Sequence, residues 1–174
     1  MNLNEFIDKY DREDSIILLE GKRNVLESDR QKLVALSQLL ASRTSKMIFR
    51  SGNALGSDKL FSEGVSAVND RRLQVITPYT GHRDKTNQAY ETISLDDLNI
   101  ANEPEVIYGS KGNKKMGKLI DQLMAGNRNR NSVKAAYILR DTVKVIGTKT
   151  VQPCTFSIFY DDLKKPQEGG TGHT

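Results

Sequence analysis

Tryptophan is absent, cysteine occurs once, proline four times and histidine twice. With Cys154 alone no intramolecular disulfide is available, and a reducing cytoplasm is the expected setting. One cysteine and two histidines also argue against a Cys/His structural zinc site, and no metal is expected. Aromatic residues make up 6% of the chain and do not interleave with its basic clusters, so the stacking platforms of a single-stranded nucleic-acid binder are missing. No apolar run approaches the roughly 20 residues that cross a bilayer, and no membrane contact is expected. The opening "MNLNEFIDKYDRED" is rich in acidic residues and lacks the basic start and apolar middle of a secretory signal.

What is present suits a folded domain. The chain has 174 residues, 37% of them hydrophobic and 28% charged, which is enough to bury a core in one domain spanning 1–174. The net charge of +4 fits contact with nucleic acid, and equally a pocket for a phosphorylated small molecule.

Leu3, Phe6, Ile7 and Tyr10 recur at helical spacing and predict a short amphipathic helix over 2–11. "SIILLEG" (Ser15–Gly21) reads as a strand covered on both faces. "SDRQ" (Ser28–Gln31) fits a capping box, followed by a helix to about Arg43 whose stripe is Leu33, Leu36, Leu39 and Leu40. "KMIFRSG" predicts a second strand, "SDKLFSEGVSAVN" a second helix, and "LQVITPY" a third strand. The stretch from Thr80 to Gly112 reads as polar and irregular, with a short helix beginning at "SLDDL". Beyond it, "KKMGKLIDQLMAG" and "NSVKAAYILRD" read as helical, and "TVKVIG" and "CTFSIFYDD" as β-rich. This alternation predicts an α/β fold, a Rossmann-like three-layer sandwich with a mostly parallel central sheet.

In such sheets ligands bind beyond the carboxyl ends of the strands. That rule selects "EGKR" (Glu20–Arg23), "RSGNALGSD" (Arg50–Asp58), "TPYTGHRD" (Thr77–Asp84), "IGTKT" (Ile146–Thr150) and the closing "DDLKKPQEGGTGHT". In "SGNALGSD", Gly52 suits a turn after the strand and Gly56 a close approach at a helix start, whose amides and dipole favour an anion. The glycines equally suit mere tight packing of strand on helix. The stretch matches neither the dinucleotide fingerprint nor the lysine-bearing P-loop.

"FRSGNALGSDKLFSEG", the early "LLEGKRN" and the late "EGGTGHT" together resemble the DprA/LOG-like group of Rossmann-type domains, the SLOG superfamily. The resemblance implies a nucleotide or nucleotide-derived ligand held by two glycine loops. Ser51, Gly52, Gly56 and Asp58 match the first loop, and Gly169, Gly170, Thr171 and Gly172 the second. Gly21, Lys22, Arg23, Asn53 and Arg83 join them as candidate ligand-binding residues. The phosphoribohydrolases of the LOG branch place a glutamate in the helix behind the second loop. Here Glu168 precedes the glycines instead, and no helix follows them in this sequence, so the loop would need further residues or a partner chain to hold it. A homodimer is a further expectation of the resemblance.

Three functions follow as expectations. The first is a nucleotide-binding sensor or carrier without chemistry of its own, and with no cofactor. The second is a nucleotide phosphoribohydrolase, in which Arg23 or Arg83 grips phosphate and Glu20, Asp58 or Asp162 steadies an oxocarbenium-like charge. The third is single-stranded DNA binding, as in DprA, through the basic clusters at 111–118 and at Arg128 and Arg130. Those clusters equally suit a solvated helix face. His82 and His173 suit either a ligand contact or a loop brace, and Cys154 reads as a packing residue.

Overall fold

Ile16–Leu19 place four apolar residues in succession, which a strand tolerates when both of its faces are covered. The computed structural model describes residues 2–112, 114–127 and 129–162, the side chains of 114 and 115 excepted. It places this run in β1 (Ile16–Gly21), inside a five-stranded sheet of order β4-β3-β2-β1-β5. The other strands are β2 (Ile48–Ser51), β3 (Leu73–Thr77), β4 (Glu91–Ser94) and β5 (Phe156–Tyr160). Every pairing is parallel, with Ile17 opposite Phe49 and Phe156, Phe49 opposite Leu73, and Ile76 opposite Ile93.

Strand alternation sends Ile17, Leu19, Phe49 and Leu73 to one face. There they meet α1 (Leu3–Tyr10), α2 (Glu27–Arg43) and α3 (Ser57–Asn69) through Phe6, Leu33, Leu40, Phe61 and Val65. Ile76 and Ile93 turn the other way, toward α4 (Pro104–Ser110), α5 (Lys114–Met124) and α6 (Arg130–Ile146), whose Val106, Ile120, Leu139 and Val143 fill the second core. The result is the expected Rossmann-like sandwich, with the sheet parallel throughout. Among the described residues no helix is long and apolar enough to cross a membrane.

Four local readings are corrected. The helix after β1 begins at Glu27 with Leu26 as its cap and no side-chain cap bond, so Ser28 lies inside the first turn and forms no capping box. The stretch from Thr80 to Gly112 holds β4 and α4. β4 escapes a pattern reading because it is an edge strand with two exposed residues and little apolar signal. "TVKVIG" is not a strand: its β-branched residues continue α6, because Leu139 and Val143 share the helical face that meets the sheet. "IGTKT" consequently follows a helix, near the amino ends of the strands where Thr155 bonds to Ile16, and does not belong to the ligand-binding edge.

Candidate functional site

The connections leaving β1, β2 and β3 meet at the carboxyl edge of the sheet, where backbone bonds tie them together. Gly21 lies opposite Tyr160, and a Cβ there would strike the Tyr160 backbone. The next amide, of Lys22, donates to the Tyr160 carbonyl at 3.1 Å. Ser57, the first residue of α3, returns two bonds to the Lys22 carbonyl, from its amide at 3.2 Å and its hydroxyl at 3.0 Å. Gly56 turns the chain into α3 with φ +87°, so close to Arg23 that a Cβ would fall on the Arg23 backbone. No side chain caps the helix, and beyond Ser57 the amides of Asp58 and Lys59 have no intrahelical partner.

The β2 loop is braced from within. Asp58 Oδ2 accepts the amides of Gly52 and Ala54, both at 3.3 Å. Arg140 of α6 donates Nη1 to the Gly52 carbonyl at 2.7 Å, and its Nε and Nη2 to Asp141 at 3.1 and 2.6 Å. Burial pushes the Asp58 carboxyl up to about 6, against the opposing pull of Arg140 and the two amides. The Gly52 and Ala54 amides of this loop are therefore already held by the protein's own carboxylate.

Asn53 and Arg83 both adopt left-handed backbone, at φ 53° and 55°, unusual for residues with side chains. They are cross-linked: Arg83 Nη1 donates to the Asn53 carbonyl at 3.1 Å, and Asn53 Nδ2 to the His82 carbonyl at 3.1 Å. His82 is buried, with its ring edge-on to Tyr79 and Tyr137 at 5.1 and 5.5 Å and no partner for Nε2. Burial first, then the charges of Arg83, Arg140 and Arg23, push its pKa down to about 4. The imidazole is thus neutral at physiological pH. Burial and a hydrogen bond that it donates to Tyr79 push the Tyr137 phenol up.

No protein-family model, characterised protein or solved structure matches the chain.

The sequence-selected residues thus divide. Gly21, Ser51, Gly52, Asn53, Gly56, Asp58, Arg23 and Arg83 come to one edge. Lys22 shares that edge, but its ammonium spans Asp161 and Asp162 at 2.7 and 2.5 Å and clamps β1 to β5. Glu20 lies beneath, paired with Lys144 of α6, which also meets Asp141 at 2.9 Å. Gly169, Gly170, Thr171 and Gly172, with His173, lie outside the described residues. Among the described residues no cluster of His, Cys, Asp and Glu is arranged to hold a metal ion.

Arg140, Asp141, Lys144, Tyr79 and Tyr137 were not singled out by pattern. The available signal was the adjacent Arg140 and Asp141 with Lys144 one turn on, among the apolar residues of a helical stretch, which the strand reading of "TVKVIG" obscured. Arg50 is similar: a charged residue inside an apolar strand, fully buried, donating to Gln74 at 2.6 Å and to the carbonyls of Lys144 and Gln152.

Two cavities adjoin the edge. The one between Asn53, Lys59 and Arg83 has about 10 Å³, room for a water. The other, about 510 Å³, opens on the far side of the 79–83 turn, between the ends of β3 and β4 and helices α5 and α6.

Proposed function

We propose that the chain binds a phosphorylated ligand, a nucleotide or nucleotide derivative, at the carboxyl edge of its sheet, and serves as a sensor or carrier. The observation that carries this reading is the meeting of Arg83 and Arg140 on the β2 loop, where they donate to the Asn53 and Gly52 carbonyls, beside Arg23 and the uncapped start of α3. Concentrated positive charge with donors from a helix start is the environment a phosphate dianion favours. The two left-handed residues, locked to each other, keep that environment assembled before any ligand arrives, which lowers the entropy cost of binding. The resemblance of "SGNALGSD" to the DprA/LOG-like loops favours a nucleotide over other phosphate esters.

The hydrolase reading is the second proposal and has less support. Glu20 is tied to Lys144, Asp58 to the loop amides, and Asp162 to Lys22. A carboxylate already engaged this way is poorly placed to steady a developing positive charge on a sugar. Nucleic-acid binding has less still: in the 111–118 cluster, Lys111 pairs with Asp121.

The test is calorimetry with ribose 5-phosphate and with nucleoside mono-, di- and cyclic phosphates, on the wild type and on Arg83→Ala. Binding that weakens at least tenfold in Arg83→Ala is expected. Absence of binding by every phosphorylated ligand ends the reading, and release of free base from a nucleoside monophosphate moves it to the hydrolase.

A further inference from the structure

The 510 Å³ cavity falls within the range of about 300–1,000 Å³ typical of small-molecule sites. Leu98, Ala136 and Leu139 supply apolar wall, and Tyr79, Met124 and Val133 stand at it 37%, 36% and 41% exposed. Large apolar side chains held partly in water around one concavity are the usual mark of a surface that a ligand covers. The walls also carry Asp96 and Asn99. Both are exposed at its rim, where a hydrocarbon tail would gain nothing from them, whereas a planar heterocycle with edge donors can hydrogen-bond to them.

Asp96 is oriented for that task. Its Oδ2 accepts the Thr80 amide at 2.9 Å, and its own amide donates to the Ser94 hydroxyl at 3.1 Å. The bond from Thr80 holds the exposed carboxylate beside the cavity, where it can accept a hydrogen bond from a ligand. The same turn ties this cavity to the cationic edge. The His82 amide bonds back to the Tyr79 carbonyl at 3.3 Å and Gly81 takes φ +79°, so the turn reverses within four residues. Tyr79 consequently lines the cavity while also packing on His82, and Arg83 leaves the turn toward the β2 loop.

We propose that this cavity is a base subsite: it takes the heterocyclic base of the nucleotide, with an exocyclic amino group donating to Asp96 and the Tyr79 ring against the base. The inference rests on the phosphate reading above and extends it to the class of base. Amino-bearing bases are preferred over their oxo counterparts, because a carbonyl facing the Asp96 carboxylate would meet a second acceptor.

The two sites are tested separately. Ribose 5-phosphate reports on the cationic edge alone. Free adenine, followed by NMR shifts of the Met124 and Val133 methyl groups, reports on the cavity alone. Val133→Trp fills the cavity from an exposed position and leaves the edge intact. Expected are an AMP affinity about tenfold or more above that of ribose 5-phosphate and of IMP, adenine-induced shifts at both methyl groups, and loss of the AMP advantage in Val133→Trp with ribose 5-phosphate unaffected. AMP binding no tighter than ribose 5-phosphate, or unchanged by Val133→Trp, overturns the base subsite and leaves the phosphate reading standing. Adenine shifts without ribose 5-phosphate binding overturn the phosphate reading instead, and with it the assignment to a nucleotide. A fatty acid binding the cavity more tightly than adenine also overturns the proposal.

Discussion

Asp58 reaches back from the first turn of α3 to accept the amides of Gly52 and Ala54, and in doing so turns a glycine-containing loop inward upon itself. The carboxylate occupies the place where a bound anion would satisfy those amides. Its partner on the other side of the loop is Arg140, which holds the Gly52 carbonyl. The loop is therefore shaped by the protein's own charges.

Replacing Asp58 separates shape from charge. Asp58→Ala leaves two buried amides without an acceptor beside the Arg140 guanidinium, and a loss of about 3–5 kcal/mol is expected. Asp58→Asn retains an acceptor and loses less. Urea denaturation of both variants checks this; equal losses would mean that the amide bonds contribute nothing.

Gly56 admits no side chain. Its backbone is at φ +87° and a Cβ would collide with the Arg23 backbone, so Gly56→Ala is strained in conformation and in space. A loss of about 2 kcal/mol or more is expected, with phosphate-ester affinity falling further because Arg23 must move. The second effect is read by calorimetry at a temperature where the variant remains folded.

Lys144 is buried between Glu20 and Asp141, with burial drawing its pKa down. Lys144→Met strands the Glu20 carboxylate, while Asp141 keeps Arg140, and is expected to cost about 3–5 kcal/mol. The double variant Lys144→Met, Glu20→Gln removes that uncompensated charge, and part of the loss is expected to return. A double-mutant cycle measures the coupling, and purely additive losses would refute it.

Two buried groups at the site respond to acid with opposite sign. Asp58 is raised from 3.8 to about 6, so between those values the folded state holds a proton that the unfolded chain releases, and acidification favours folding through this group. His82 is lowered from 6.5 to about 4, so between those values the unfolded chain takes a proton that the folded state refuses, and acidification disfavours folding. The stability gap between wild type and Asp58→Asn is expected to widen from pH 6 to pH 4. The gap between wild type and His82→Gln is expected to shift in wild type's disfavour from pH 6.5 to pH 4. Denaturation series at these pH values check both signs.

The sheet's face on the α4–α6 side shows why part of the site was hidden. Arg50, Glu20 and Gln74 were readable as polar residues in or beside strands, yet nothing local says that Arg50 bonds to Gln74 or that Glu20 meets Lys144. Those contacts join residues 24 and 124 positions apart. The 79–83 turn is similar: its glycine marked it, but the cavity beside it is walled by α5 and α6, from another part of the chain.

By itself, the sequence determined the elements whose signals are local. The apolar run of β1, the 3.6-residue stripes of α3 and α5, and the glycines at 52 and 56 each follow from backbone freedom and side-chain periodicity within a few residues. Tertiary structure alone decided that 142–146 continue a helix, that Asp58 fills the loop's amides, and that Tyr79 stands between a cationic edge and an apolar cavity. Each of these depends on groups brought together across the sheet, where burial sets the strength of a charge and packing overrides intrinsic propensity.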